Sequence, residues 1–534
     1  MAEEADWWRR AVIYQIYPRS YRDADGDGVG DLVGITERLE HVAWLGADAV
    51  WLSPFFKSPM KDFGYDVEDH RAVDPRFGSL EGFDAVVAEA GRLGLRVLID
   101  LVLSHCAETH PWFVAASAGR GSEYDDCFVW AEPAAGGGPP NNWLSVFGGS
   151  SWSWCEARGQ YYLHNFLTSQ PDWNYHSPRV RRELLDVARF WLERGVSGFR
   201  LDAVNFCVHD LQLRDNPPAS PAGALANPAV NPYSGQDHLY DKNRPELLGF
   251  LEEFGGLLAR YPGAIGLAEL GEEPERAAVL ATEYTAPGRL QLCYSFDLMG
   301  ERLDADYLRA VIARAEAHEG AGRCWALSNH DVVRPATRLR APGAEPRQVA
   351  RLALAVMLSL RGTPCLYQGE ALGLTEAEIP HHRLMDPYGL AFWPEYKGRD
   401  GCRTPMPWRP DGAAAGFSEA EPWLPVPDEH RPLAVALQRA DPDSTLNLAR
   451  ALLALRRRHP ALQVGALELL SEDRQVLALL RSQGEDRVIC AFNLSDEPAR
   501  WGAGLRPLEG CVGAGRIDGG EVVLPPWSWC FART

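Results

Sequence analysis

Eight short apolar runs constrain this chain more than any other feature, because each halts abruptly at polar residues and is separated from the next by a stretch of helical period. They are Ala11–Tyr17, Ala49–Pro54, Arg96–Asp100, Gly198–Asp202, Ala264–Glu269, Gln291–Asp297, Cys324–Asp331 and Thr363–Glu370. Strands that are apolar along their whole length are covered on both faces, as in a parallel sheet flanked by helices. The stretches between them carry helix signals. One opens with Ser177 at the N-cap and Pro178 in the first turn, then sets Val180, Leu184, Val187 and Trp191 on one face. Eight strands with intervening helices predict an α/β protein built on a (β/α)8 TIM barrel.

Two connections exceed ordinary barrel loops. The first, rich in Trp, Gly and Pro and including residues 136–140, predicts a small domain inserted after strand 3; the second, Pro217 to Tyr233, predicts a loop over the mouth of the barrel. Beyond the helix Leu446–Arg458 the pattern changes to short β-like runs, Val476–Leu480, Arg487–Asn493 and Glu521–Leu524, which predict a C-terminal antiparallel β-sandwich. The expected division is 1–104 and 173–462 for the barrel, 105–172 for the insertion and 463–534 for the sandwich.

Charge and cysteine usage narrow the function classes. With 53 Lys+Arg against 73 Asp+Glu the net charge is −20, which repels phosphate backbones and anionic lipid and argues against nucleic-acid or membrane partners. The first ten residues carry Glu3, Glu4 and Asp6 where a secretory signal needs positive charge, and the apolar stretch Leu352–Leu360 is too short to cross a bilayer. A cytoplasmic protein is expected. Eleven cysteines without a Cys-x-x-Cys pair indicate reduced thiols rather than a disulfide framework or a zinc knuckle. The choice between monomer and dimer is left open.

Barrel enzymes work at the C-terminal ends of their strands, so what terminates each run is informative. The third ends on Asp100 with His105 shortly after, the fourth on Arg200-Leu-Asp202, the fifth on Glu269 and the seventh on His330-Asp331. One such acid is usually a cap or a solvated turn. Four converging on one mouth suit acid/base chemistry on a neutral polar substrate, and glycoside hydrolysis in particular. Phosphoryl transfer is disfavoured, since no Gly-x-x-x-x-Gly-Lys-Ser/Thr loop occurs.

At these residues the chain resembles glycoside hydrolase family 13, the α-amylase family, and within it the oligo-1,6-glucosidase and α-glucosidase branch. The likeness runs from Trp7 to the C-terminal β domain, through four signature stretches at 100–105, 198–202, 267–269 and 328–331 and the branch marker that begins at Gln170. The resemblance implies that Asp202 is the nucleophile, Glu269 the general acid/base and Asp331 a carboxylate holding sugar hydroxyls. Arg200 would favour the charged form of Asp202, and His105 and His330 would donate hydrogen bonds to hydroxyls. It implies too that Asp62 and Tyr65 close the pocket on the non-reducing end, which makes an exo-enzyme, that Arg403 pairs with the terminal-sugar carboxylate, and that Phe147 and Phe166 form walls.

The run from Asp23 through Asp25, Asp27 and Val29 to Asp31 alternates oxygen ligands with turn-forming residues, as hard divalent cations require, and is no EF-hand because its twelfth position is Gly34. In the resembled glucosidases the matching loop binds Ca2+ or Mg2+ through the Asp side chains and a carbonyl, here that of Val29. One structural divalent cation and no organic cofactor are therefore expected. Departures from the family also inform. Ser104 stands where endo-acting amylases carry an Asn that helps bind a calcium, and Ala203 follows the nucleophile where α-1,6-specific members carry Val. The expected activity is a retaining α-glucosidase favouring α-1,4 bonds in short oligosaccharides, disaccharides or simple α-glucosides. Alternatives are an α-glucosyl-transferring enzyme, a sucrose isomerase or an oligo-1,6-glucosidase using the same residues. More remote is a non-catalytic ancillary subunit.

Overall fold

The computed structural model describes residues 6–219, 230–318, 320, 322–510 and 512–533. All eight anticipated runs are strands: β1 (Ile13–Ile16), β2 (Ala49–Leu52), β3 (Arg96–Val102), β4 (Gly198–Asp202), β5 (Ile265–Glu269), β6 (Leu292–Ser295), β7 (Arg323–Ala326) and β8 (Thr363–Tyr367). They close into one parallel barrel in which β1 pairs with both β2 and β8. A helix follows each strand: α1 (Leu32–Leu45), α2 (Leu80–Arg92), α3 (Pro178–Glu193), α4 (Leu247–Leu258), α5 (Pro274–Tyr284), α6 (Ala305–Ala317), α7 (Pro346–Ser359) and α8 (Thr445–Arg458).

Two expectations about strand ends are corrected. Asp100 does not end β3, which runs on to Val102, because Asp100 bonds inside the barrel to Arg200 and the chain can continue past it. Asp331 lies beyond β7, which stops at Ala326, so the acid is delivered by the following loop. In α3 the apolar face is buried as anticipated, but the Ser177 hydroxyl bonds Asp126 of the insertion rather than its own helix.

Alternate residues of the strands point inward. Ile13, Trp51, Leu98, Leu267, Tyr294 and Cys365 fill the barrel interior, and the other faces pack under the helices. Continuing the inward alternation towards the C-terminal ends brings Asp100 level with Arg200 across the β3–β4 pair and sets Glu269 beside Tyr294. The inserted segment folds as a three-stranded sheet around Trp143 and Trp152. At the C-terminus a five-stranded and a three-stranded antiparallel sheet pack around Val476, Ile489, Val522 and Leu524, the anticipated sandwich.

Among the described residues no helix is long and apolar enough to cross a membrane. Nine of the ten described cysteines are buried. The centre of the Pro217–Tyr233 loop, 220–229, lies outside the described residues.

Candidate active site

The mouth of the barrel opens into a cavity of about 1320 Å³. Asp202 and Glu269 reach it from the ends of β4 and β5, and Asp62, Tyr65, His105, Phe147, Phe166 and Asp331 complete its wall from the loops. Four other expected site residues, Arg200, Gln170, His330 and Arg403, are almost wholly buried behind that wall. They hold the wall residues in place.

Arg200 is the centre of the first group. Its Nη1 donates to Asp100 Oδ1 at 2.7 Å and to Asp202 Oδ1 at 2.5 Å, while Nη2 lies 2.5 Å from Glu269 Oε1. One guanidinium therefore faces three carboxylates. Burial raises all three out of the ordinary carboxylate range against the lowering pull of Arg200, and Glu269 is pushed up to about 7, with Asp202 adding to the rise. The other Glu269 oxygen, Oε2, accepts from the Ala203 N–H at 2.9 Å. Ala203 can aim that N–H because its φ is +42°, a left-handed conformation uncommon outside glycine and typical of strained functional positions.

The second group is built on two guanidinia. Arg399 donates to Asp62 at 2.9 Å, to Asp331 at 3.1 Å and to Asp386 at 2.7 Å. Arg403 donates from Nη2 to Asp331 at 2.8 Å and from Nε to the His330 carbonyl at 2.7 Å. The expectation that Arg403 pairs with the terminal-sugar carboxylate is corrected: Arg399 takes Asp62, and Arg403 takes Asp331. Burial acts to raise Asp331, but the charges of Arg399 and Arg403, with Arg200 adding to them, outweigh it and hold the carboxyl well below its usual range. Asp386 is likewise held down, at about 2, by Arg399 and Arg403 against its burial. Asp62 is raised by burial to about 6 against the pull of the same two arginines, with Asp66 and Asp386 adding to the rise.

Both histidines are neutral, since burial lowers His105 to about 4 and His330 to about 3. The His105 nitrogens are taken up by Ser104 Oγ at 2.9 Å and the Tyr65 carbonyl at 2.8 Å, so the ring buttresses Tyr65 rather than offering a free donor. His330 is stacked between Tyr17 and Tyr65, with centroids 5.5 and 5.2 Å away. Gln15 Nε2 holds its Nδ1 at 2.9 Å, which assigns the ring proton to Nε2, an atom 3.2 Å from Asp331 Oδ2. Gln170 donates to Asp62 at 3.0 Å.

On the side of Ala203 the cavity meets a buried ion pair absent from the sequence reading, Lys242 Nζ to Glu272 Oε1 at 2.6 Å. Asn205 and Asn243 donate to the same Glu272 oxygen.

In the acidic loop before α1, oxygens of Asp23, Asp25 and Asp27 lie within 4.8 Å of one another. Asp31 does something different: its Oδ1 caps α1 by accepting from the Gly34 N–H, and its Oδ2 accepts from Ala24 and Asp25. The loop is braced against a distant segment. Asp23 accepts from Ser418 Oγ at 2.5 Å, and the Gly28 carbonyl accepts from the Trp423 N–H at 3.0 Å. A Cβ on Gly28 would meet the Glu421 carbonyl oxygen at 2.2 Å, so only glycine fits there.

Comparison with known proteins agrees with this architecture. The family model described as "Alpha amylase, catalytic domain" matches residues 15–465. The chain is 52% identical to a probable alpha-glucosidase of Rhizobium meliloti, across 99% of this chain and 97% of that protein. It is 33% identical to an oligo-1,6-glucosidase of Parageobacillus thermoglucosidasius, across 92% and 91%. Among solved structures, an alpha-glucosyl transfer enzyme, XgtA, superposes with a TM-score of 0.94 at 50% identity, covering 98% of this chain and 99% of that one.

Proposed function

The chain belongs to the α-amylase family, glycoside hydrolase family 13, and on that premise we propose that it is an exo-acting, retaining α-glucosidase. Its substrates in this reading are short oligosaccharides, disaccharides and simple α-glucosides with a terminal non-reducing glucose, α-1,4 bonds being favoured by the small Ala203 beside the nucleophile. The observation that carries the mechanism is the shared guanidinium of Arg200. It holds Asp202 and Glu269 on adjacent nitrogens, which supports the close spacing of about 5 Å used in double displacement, rather than the wider gap that admits a water between the carboxyls.

Asp202 attacks the anomeric carbon, and the bond to the leaving oxygen breaks as Glu269 protonates it. A glucosyl ester on Asp202 results. Glu269, now ionised, then takes a proton from water, whose oxygen attacks the same carbon and releases glucose with its original anomeric configuration. Asp331, kept charged by Arg399 and Arg403, accepts hydrogen bonds from ring hydroxyls; Asp62 does so at the closed end, and Tyr65 covers the sugar face. Replacing Asp202 by Asn tests the assignment: loss of turnover of a chromogenic α-glucoside with unchanged folding is the expected result, and near-normal turnover contradicts it.

Likeness to the α-glucosyl transfer enzyme favours one second reading, in which an acceptor hydroxyl replaces water in the second step. Product analysis at high substrate concentration separates the two. We also propose that Asp23, Asp25, Asp27 and the Val29 carbonyl hold one divalent cation, since three carboxylates with converging oxygens are the donor set of a hard ion. Bound there, it would neutralise charge and stiffen the contact with residues 417–423. A cytoplasmic location completes the proposal.

A further inference from the structure

At the opposite end of the barrel from the active site a second cavity, of about 250 Å³, lies between the entry ends of β1, β2 and β3 and helix α8. Its charged lining is Arg10, Asp48, Arg96, Arg456 and Arg457, with Trp7 alongside. Asp48, the one carboxylate among the described lining residues, is already engaged. Asp48 Oδ1 accepts from Arg457 Nη2 at 2.9 Å and Oδ2 from the Val12 N–H at 2.8 Å. Arg96 lies over the Trp7 ring at 4.8 Å and, among the described residues, makes no ion pair with a carboxylate.

Arg456 is the unusual member. It is 2% exposed, and its terminal nitrogens donate only to backbone carbonyls, those of Leu358, Leu360, Leu462, Gly362 and Gln463. Its Nε has no hydrogen-bond partner among the described residues. The fully buried Arg481 lies close enough to repel it and also donates to the Leu462 carbonyl. Carbonyl dipoles satisfy N–H groups but do not cancel a buried formal charge, and the Asp48 carboxylate, which attracts Arg456 without contacting it, is already bonded to Arg457. Arg456 and Arg96 thus stand beside a space large enough for a tetrahedral anion and several waters.

We propose that this cavity binds a small phosphate-type oxyanion, held by Arg456 Nε from the buried side and by Arg96 from the open side. The anion supplies a counter-charge in direct contact, where Asp48 acts only at a distance, and ties the base of the barrel to α8. The planar guanidinium suits such a ligand, since it offers paired donors to two oxygens at once. The site is far from the sugar cavity and independent of the activity proposed above.

The test is calorimetric titration of the full chain with inorganic phosphate, in parallel with a hexose phosphate and with sodium chloride at matched ionic strength. One saturable equivalent of phosphate per chain is expected, with chloride competing weakly. Binding of the hexose phosphate as well identifies a phosphomonoester as an acceptable source; its failure identifies the free ion. Arg96→Gln, a half-exposed position whose loss spares the buried carbonyl network, should weaken phosphate binding at least tenfold and leave glucoside turnover within twofold. Arg456→Lys should weaken it as well. No saturable binding to the wild-type chain overturns the proposal, as does binding that Arg96→Gln leaves unchanged or that chloride abolishes at equal concentration.

Discussion

Three carboxylates share one guanidinium on one side of the sugar cavity, and three share two on the other. Asp100, Asp202 and Glu269 gather on Arg200, whereas Asp62, Asp331 and Asp386 gather on Arg399, with Arg403 added at Asp331. Burial is deep on both sides, so desolvation alone does not separate them. What differs is the balance of charge. With one cation to three acids the carboxyls rise towards neutral pH and can exchange protons during turnover. With two cations, Asp331 and Asp386 stay ionised at any working pH, and only Asp62, deeply buried beside Asp66 and Asp386, rises, to about 6. The first group is equipped to react and the second to hold.

The comparison can be broken most severely at Asp202. Asp202→Asn should lower kcat on every α-glucoside by on the order of 10^4-fold or more, because the proposed nucleophile of the first step is then removed. Glu269→Gln should behave differently: a loss of about 10^3-fold on maltose, but far less on an aryl glucoside whose leaving group needs no proton, measured as the ratio of kcat/KM on the two substrates. Arg399→Met alters the count on the holding side. It should raise KM by about 100-fold, a loss of about 3 kcal/mol of sugar binding, while changing kcat on the aryl glucoside much less. A drop confined to kcat would contradict the division of labour.

The pH profile sharpens the same contrast at smaller amplitude. Glu269 must be protonated to act as acid, so kcat/KM should fall as pH rises through its raised value near 7. Asp202 must be ionised, and activity should fall on the acid side as it takes a proton. Asp331, held below its usual range, should contribute no acid limb; in Arg399→Met it should begin to. The smallest effect is expected at the acidic loop. Chelation should lower Tm by a few degrees and leave kcat within about twofold, as befits a loop that braces residues 417–423 rather than the acids.

How far the sequence carried this picture depends on how local each feature is. All eight strands were readable because each is an apolar run bounded by turns, and Asp202 and Glu269 because they end such runs. Arg399 was not readable. It stands only four residues before Arg403, but its partners Asp62, Asp331 and Asp386 come from three separate loops, so no spacing announces it. Asp100 and Asp331 were found for a partly wrong reason, since one sits within its strand and the other in a loop beyond it. His330 was expected to donate to sugar hydroxyls and lies behind the cavity wall, a distinction that depends on side-chain packing rather than on motif.

The central claim is that Asp202 forms the covalent bond while Glu269 moves the proton. Peptide mass mapping after acid-quenching the Glu269→Gln variant with an activated aryl α-glucoside tests it most directly, since the ester should form quickly and hydrolyse slowly. The account predicts one glucosyl residue on the peptide containing Asp202. A label on Asp100 or Asp331, or none despite a burst of released phenol, would contradict it.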